Sequence, residues 1–175
     1  MKNFLVVVDM QNDFITGSLG SDAAQVIAPG VAARIVETAR DGYSVIFTLD
    51  THGEDYLATP EGKALPVAHC IKGSEGWELH PEIKTAAKSI PYDKVAFIEK
   101  PNFGTVRWDE FVTDGDSIEF VGLCTDICVV TNALIVKTLF PSSPVSVNPT
   151  LCAGTSLARH NSALDTMRSC QIKVL

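Results

Sequence analysis

The chain has 175 residues, of which 46% are hydrophobic and 20% are charged, and its formal net charge is −7. This balance is typical of a globular protein that is long enough to bury one sizeable core. The sequence contains no run of Lys or Arg, which argues against nucleic acids and anionic membrane surfaces as partners. No apolar stretch approaches the length of a membrane span.

The amino terminus and the cysteines indicate a cytoplasmic protein. Residues 1–4 lead directly into an apolar run without the pattern of a signal peptide. The five cysteines are an odd number, and no spacing typical of small disulfide scaffolds links them. A chain of this size with such cysteines favours reduced thiols in the cytosol.

Short apolar runs rich in β-branched residues predict the strands. The first, Phe4–Val8, is apolar throughout, as expected for a strand that is buried on both faces. A second strand is predicted at Val45–Leu49 and a third at Val95–Ile98. The remaining predicted strands are Ile118–Gly122, Pro144–Val147 and Ile172–Leu175.

Helical patterns separate these strands. Val31, Ile35 and Ala39 recur at helical spacing, with Pro29 near the start of the predicted helix. Residues 128–140 are apolar on nearly all sides and predict a buried helix. Ser156 is expected to cap a last helix whose Leu157, Leu164 and Met167 face inward, and residues 51–81 are predicted to form a long functional loop. The alternation predicts a single α/β domain over residues 1–175, with three α/β/α layers around a mostly parallel sheet.

Reactive side chains follow one strand after another. In open parallel sheets, ligands bind at the carboxyl ends of the strands. Asp9 ends the first predicted strand, Asp50 the second, and Lys100 lies just beyond the third. Cys124 and Cys128 follow the fourth, so all of these side chains are expected to share one edge of the sheet.

Cys128 is the candidate nucleophile of this edge. Thr125 or Asp126 is expected to cap the helix that begins here, which places Cys128 in the first turn, where the helix dipole favours a thiolate. Lys100 is expected to lower the pKa of the thiol, Asp9 to act as general base, and backbone N–H groups to stabilise an oxyanion. The alternative is structural: Cys128 as a small core residue, Asp9 as a cap and Lys100 as a solvated side chain.

A second cluster predicts a metal site. Asp50 and His52 point the same way in extended backbone, and His69 can return to them from the long loop. Glu61 is a possible fourth ligand. Such ligands suit zinc, with iron or manganese as alternatives. The competing interpretation is that these histidines only hydrogen-bond within a polar loop.

Five segments resemble the isochorismatase-like cysteine hydrolases, and among them the nicotinamidase branch. They are VVVDMQNDF (6–14), FTLDTH (47–52), LPVAHC (65–70), KPNFG (100–104) and VGLCTDICV (121–129). The last is the most specific of the five. They occur in the expected order and span most of the chain.

The resemblance implies a six-stranded parallel sheet and a catalytic triad of Asp9, Lys100 and Cys128. It also implies an oxyanion hole from the backbone amides of Cys124 and Cys128, with a cis peptide bond between Leu123 and Cys124. A divalent metal is implied at the Asp50, His52 and His69 set. Homo-oligomers are common in the family, which implies an oligomer here.

The chain departs from the nicotinamidase pattern at two places. Residues 65–68 lack the Trp that often precedes the last metal histidine, and Gly104-Thr105 replaces Ser-Ala after the aromatic. Phe14 and Phe103 are therefore the expected partners of a small planar substrate.

The sequence thus predicts a metal-containing amidohydrolase of a small amide, with nicotinamide to nicotinate and ammonia as the first candidate reaction. A hydrolase of a ureido or carbamoyl C–N bond is the alternative. Two other functional classes are considered. One is a ligand-binding protein without activity, and the other is a redox protein that uses Cys124 and Cys128. The C-x-x-x-C spacing of this cysteine pair is unlike the C-x-x-C of redox motifs.

Overall fold

A computed structural model describes all 175 residues and contains one six-stranded sheet. The strand order is β3-β2-β1-β4-β5-β6, and every neighbouring pair is parallel. The predicted parallel α/β fold is confirmed. The strands are β1 (Asn3–Val8), β2 (Ser44–Asp50), β3 (Val95–Lys100), β4 (Ser117–Leu123), β5 (Val145–Ala153) and β6 (Lys173–Val174).

Helices cover both faces of the sheet. They are α1 (Asn12–Ile15), α2 (Asp22–Arg40), α3 (Pro60–Ala64), α4 (Pro81–Ala87), α5 (Val130–Leu139) and α6 (Leu157–Ser169). Along β1, Leu5 and Val7 belong to the core beneath α2 and α4, whereas Phe4, Val6 and Val8 belong to the core beneath α5 and α6. The uninterrupted apolar run of β1 therefore reflects burial on both faces. No helix is long and apolar enough to cross a membrane.

The strand order reverses direction between β1 and β4, which are neighbours although more than a hundred residues separate them. A crevice forms at such a switch point, beyond the carboxyl ends of the strands. Gly122 allows the close approach, because a Cβ at this position would lie 2.2 Å from the carbonyl oxygen of Val8. Asp9 and Cys124 come directly after these two strands and therefore face one another across the crevice.

The second helix begins earlier than the sequence predicts. Its first residue is Asp22, its cap is Ser21, and Pro29 lies inside it rather than at its start. Proline removes one helical hydrogen bond. Ala24, Ile27 and Ala28 are nevertheless buried on the amino-terminal side of Pro29, and their packing against the core offsets the lost bond.

Three other predictions about elements were wrong in part. Residues 51–81 are not a plain loop, because they contain a 3-10 helix at Tyr56–Ala58 and helix α3. Strand β5 runs to Ala153, six residues past its predicted end. Leu157 is 76% exposed because it is the first residue of α6, although Ser156 caps this helix as predicted.

Candidate active site

The ammonium group of Lys100 is the centre of the site. Its side chain is fully buried at the end of β3, and Nζ lies 2.7 Å from Oδ2 of Asp9 and 3.4 Å from Sγ of Cys128. It also lies 3.1 Å from Oδ1 of Asp50 and 3.1 Å from the carbonyl oxygen of Asn102. One cation therefore contacts Asp9, Asp50 and Cys128, whereas Cys124, the remaining residue that the sequence places along this edge, is not among its contacts.

Lys100 remains charged in spite of its burial. Burial alone lowers the pKa of a lysine, but the pKa of Lys100 is raised overall, chiefly by the charge of Asp9 and also by that of Asp50. An ammonium ion buried without such partners would be very unfavourable. The solvated surface lysine that the sequence left open is excluded.

Asp9 is fully buried, and its backbone has a positive φ of 48° directly after β1. Oδ1 accepts a hydrogen bond of 2.6 Å from the hydroxyl of Thr48, and Oδ2 faces Lys100. Burial raises the pKa of Asp9 more than the charge of Lys100 lowers it. A carboxylate with a raised pKa is a stronger base, which suits a group that accepts and returns a proton.

Cys128 lies in a wide turn, Thr125–Val129, that leads into α5. The turn is of the π type, with the N–H of Val129 donating to the carbonyl oxygen of Cys124 at 3.1 Å. The prediction that Thr125 or Asp126 caps it was wrong, because the cap residue is Cys124 and no side chain caps the turn. The carboxylate of Asp126 instead accepts two hydrogen bonds from Thr155.

The thiol of Cys128 is only 6% exposed. Burial and the negative charge of Asp9 raise its pKa well above the usual value, and the opposing effect of Lys100 is smaller. The resting side chain is therefore a protonated thiol at neutral pH. From the sequence, Lys100 and the helix dipole were expected to favour a thiolate, but in the structure burial and the charge of Asp9 outweigh the effect of Lys100.

The peptide bond between Leu123 and Cys124 is cis, as the family resemblance implies. The N–H of Cys124 has no hydrogen-bond partner within the protein. Cys124 lines the same cleft as Cys128. A free donor at this place is the kind of group that stabilises an oxyanion.

Asp50, His52 and His69 form the predicted metal cluster, and their ligand atoms lie within 4.8 Å of one another. Nε2 of His52 lies 2.9 Å and Nε2 of His69 3.4 Å from Oδ2 of Asp50. Glu61 is more distant from the cluster, with Oε1 3.8 Å from Nε2 of His52. Two imidazoles and a carboxylate that converge in this way fit a divalent metal ion.

The ligand set is held in place from outside. Nδ1 of His69 lies 2.8 Å from the carbonyl oxygen of Val67, which leaves Nε2 free to bind a metal. The ring of Tyr56 packs against His52 at 4.7 Å and against His69 at 4.9 Å between centroids. Burial opposes ionisation of Asp50, but hydrogen bonds to both histidines and the charge of Lys100 lower its pKa overall. Asp50 is therefore a carboxylate.

The reactive groups open into a cleft with a volume of about 380 Å³. Such a volume suits a small molecule. Phe14, half-buried, and Phe103, 47% exposed, both line this cleft, as predicted for contacts to a substrate. A larger open groove of about 730 Å³ between α2 and α4 contains none of these groups.

Sequence reasoning missed several residues of the site. Gln11 binds the backbone of Asp50, Tyr56 packs on both histidines, and Arg159 lines the cleft. Asn132 is fully buried and donates to the carbonyl oxygens of Cys128 at 2.8 Å and Phe103 at 3.1 Å. A buried polar residue inside an apolar helix was the one available signal for Asn132, since such a group needs partners.

The comparison with known families gives one match that spans nearly the whole chain. The family described as the isochorismatase domain matches residues 3–175. This is the superfamily that the five sequence segments resemble.

Individual relatives agree with this match. The nicotinamidase/pyrazinamidase of Mycobacterium tuberculosis is 27% identical over 191 aligned positions, which cover 98% of this chain and 97% of the relative. The crystal structure of a nicotinamidase/pyrazinamidase from Bacillus subtilis superimposes with a TM-score of 0.87 at 25% identity and covers 99% of both chains. The N-carbamoylsarcosine amidase of Thermoplasma acidophilum superimposes with a TM-score of 0.74 at 26% identity, covering 99% of this chain and 95% of that one.

Proposed function

Because the chain belongs to the isochorismatase family, we propose that it is an amidohydrolase that converts nicotinamide to nicotinate and ammonia. One observation carries the proposal: the Lys100 ammonium contacts both a buried carboxylate, Asp9, and a buried thiol, Cys128. Similarity to nicotinamidases over nearly the whole chain supports the choice of substrate.

In the first step, Sγ of Cys128 attacks the amide carbonyl carbon and its proton passes to Asp9. Because the thiol is protonated at rest, attack and proton transfer are coupled. The carbonyl oxygen becomes an oxyanion, which accepts hydrogen bonds from the N–H groups of Cys124 and Cys128. Removal of one such donor typically slows a reaction about 10²–10³-fold.

In the second step, Asp9 returns the proton to the amide nitrogen, the C–N bond breaks and ammonia leaves a thioester on Cys128. A water molecule then attacks the thioester and gives a proton to Asp9, and the proton returns to sulfur as the acid departs. The ammonium of Lys100 stabilises the carboxylate of Asp9 and the partial negative charge that develops on sulfur while its proton is transferred.

Asp50, His52 and His69 are proposed to hold a divalent metal, with Glu61 as a more distant ligand. Two imidazoles with one carboxylate suit zinc, and iron or manganese are the alternatives. A bound metal ion would act as a Lewis acid that holds a donor atom of the substrate or a water molecule. Phe14 and Phe103 would contact the two sides of a planar ring.

The second candidate reaction is hydrolysis of a carbamoyl or ureido C–N bond. The superposition on an N-carbamoylsarcosine amidase favours it, and it would use the same thiol, base and oxyanion donors. The lack of a Trp before His69 removes one aromatic surface that a pyridine ring would contact. A substrate panel separates the two reactions.

The experiment is ammonia release from nicotinamide, other small amides and N-carbamoyl amino acids by the metal-loaded wild type and by Cys128→Ala. Cys170→Ala is the matched control, because Cys170 is exposed and outside the cleft. We expect release from nicotinamide that Cys128→Ala abolishes and Cys170→Ala retains. Ammonia release from carbamoyl compounds alone would show that these compounds, and not nicotinamide, are the substrates. No release at all would favour a binding protein without activity.

Two further predictions from the sequence remain predictions. They are a location in the cytoplasm and a homo-oligomeric state. Size-exclusion chromatography with light scattering tests the homo-oligomeric state, and a molar mass equal to that of one chain would contradict it.

A further inference from the structure

Arg159 is the one Lys or Arg among the residues that line the cleft, and the proposed reaction does not use it. Its side chain is exposed, and no carboxylate lies within 4 Å of its guanidinium group. Of the other four arginines, Arg34, Arg107 and Arg168 each form an ion pair with a nearby acid, and only Arg40, at the end of α2, also forms none. Arg159 is thus a cation at a cleft wall that makes no direct ion pair.

The position of Arg159 in its helix is unfavourable for a cation. It is the third residue of α6, one turn after the cap Ser156, whose hydroxyl accepts from the N–H of Arg159 at 3.2 Å. The amino end of a helix favours negative charge, and the residue three after a Ser cap is typically Glu or Gln. The first turn of α6 contains no acidic residue at all. Helix stability therefore gives no reason for an arginine here.

The guanidinium group is nevertheless oriented. Nη1 of Arg159 donates to the hydroxyl of Thr155 at 3.3 Å, and that hydroxyl donates to Oδ2 of Asp126 at 2.6 Å. Thr155 itself lines the cleft. One N–H of five is used in this contact, so the remaining donors are available to a ligand.

The charges of the cleft are separated. Asp50 and Glu61 lie at the end with the histidine cluster, and Arg159 is on the wall formed by Gly154 and Thr155. The ammonium of Lys100 is fully buried and already contacts two carboxylates. Among the side chains that line the cleft, Arg159 is therefore the available cation for an anionic group on a ligand, and its guanidinium matches a carboxylate in shape and charge. A metal ion at the histidine cluster would be a partner at the opposite end of the cleft.

We propose that Arg159 binds a carboxylate of the substrate, so that the enzyme prefers small amides that carry a negatively charged substituent. The proposal rests on the proposed function, because it assigns a substrate class to the same cleft. The reacting amide lies at Cys128 while the carboxylate lies at the wall of Arg159.

The test uses two matched pairs of amides. Succinamate is compared with its methyl ester, and 5-carboxynicotinamide with nicotinamide, so that each pair differs in one negative charge. The quantity measured is the ratio of kcat/KM for the anionic member to that for the neutral member. Wild type, Arg159→Gln, Arg159→Lys and the control Arg168→Gln are compared, since Arg168 lies on the same helix outside the cleft.

We expect a ratio above one in at least one pair for wild type, and a decrease of about tenfold in Arg159→Gln, as for loss of a charge-assisted hydrogen bond. Arg159→Lys retains part of the ratio and Arg168→Gln retains all of it. A ratio of one or less in both pairs, or the same ratio in Arg159→Gln as in wild type, would overturn the proposal.

A second measurement separates this proposal from the proposed function. Calorimetric titration of succinamate and 5-carboxynicotinamide into Cys128→Ala, with and without Arg159→Gln, requires no turnover. Weaker binding of the anion in the double variant supports the role of Arg159 even if no amide is hydrolysed. Equal binding in both variants contradicts it even if nicotinamide is a substrate.

Discussion

Gln11 and Asp50 are joined by two hydrogen bonds across the ends of β1 and β2. Nε2 of Gln11 donates to the carbonyl oxygen of Asp50 at 2.9 Å, and the N–H of Asp50 donates to Oε1 of Gln11 at 2.8 Å. Nε2 also donates to the carbonyl oxygen of Trp77 at 2.8 Å. Gln11 is fully buried, so this contact fixes the carboxylate of Asp50 between Lys100 and the two histidines.

Replacement of Gln11 by Ala is expected to weaken metal binding, although Gln11 is not itself a metal ligand. It leaves buried backbone groups of Asp50 and Trp77 without partners, which costs about 1–3 kcal/mol of stability. Loss of an outer partner of a metal ligand typically reduces metal affinity about 10–100-fold. Zinc titration and urea unfolding measure both effects. Gln25→Ala, at an exposed position of α2, is the control, and an unchanged zinc affinity in Gln11→Ala would refute the role.

Asp9→Asn is expected to reduce kcat about 10²–10⁴-fold, the usual contribution of a general base. The amide is similar in shape to the carboxylate and retains an acceptor for Thr48, but it cannot take the proton of Cys128. Steady-state kinetics on the best substrate measure the effect, with the exposed Asp93→Asn as control. A variant with more than a tenth of the wild-type kcat would show that another group is the base.

Removal of the metal is expected to abolish activity, because the Lewis acid that would hold the substrate or a water molecule is lost. It is also expected to lower the melting temperature, because a metal ion that binds the folded ligand set stabilises the fold. His52→Ala and His69→Ala should each bind zinc much more weakly than wild type, and Glu61→Ala should have a smaller effect because of its greater distance from the cluster. His80→Ala is the control outside the cluster. The zinc content of each variant is measured by elemental analysis. An equal loss of zinc in Glu61→Ala and His69→Ala would contradict the assignment of Glu61 as the more distant ligand.

Asp116 provides a test of stability against pH. Burial opposes its ionisation, but hydrogen bonds from the N–H of Lys2 and from the N–H and hydroxyl of Thr113 hold its pKa below the usual value. A lowered pKa stabilises the fold above the pKa of the unfolded chain, about 4, and this stability is lost as the pH falls through the folded value.

Asp116→Asn is therefore expected to unfold more easily than wild type at neutral pH, by about 1–3 kcal/mol. The difference should shrink progressively below about pH 4. Urea unfolding at neutral and acidic pH measures it, and Asp93→Asn again serves as control. A difference that stays constant down to the lowest pH would show that the charge of Asp116 contributes nothing.

The sequence predicted the parts of the fold that depend on local pattern. The apolar run of β1 and the capping serine of α6 each leave a signal in consecutive residues. The residues at the edge of the sheet were also predictable, because carboxyl ends of parallel strands meet whatever their separation along the chain. Asp9, Asp50, Lys100 and Cys128 were found in this way.

The rest depends on three-dimensional contacts. Pro29 resembled a helix start because proline is typical of the first turn of a helix, although the helical spacing of Ala24, Ile27 and Ala28 already extends the apolar face before it. The raised pKa of the Cys128 thiol depends on the depth of its burial and on the balance between Asp9 and Lys100, and neither can be read from residue identity. Gln11, Tyr56 and Asn132 act on the site through hydrogen bonds or ring contacts that no spacing indicates.

The most direct test of the account is to identify the covalent intermediate. The wild-type enzyme is mixed with nicotinamide, quenched in acid during turnover, and analysed by mass spectrometry of the intact protein and of its peptides. We expect a nicotinoyl thioester on Cys128 that is absent from Cys128→Ala. Turnover without an adduct, or an adduct on Cys124 instead, would contradict the assignment of Cys128 as the nucleophile.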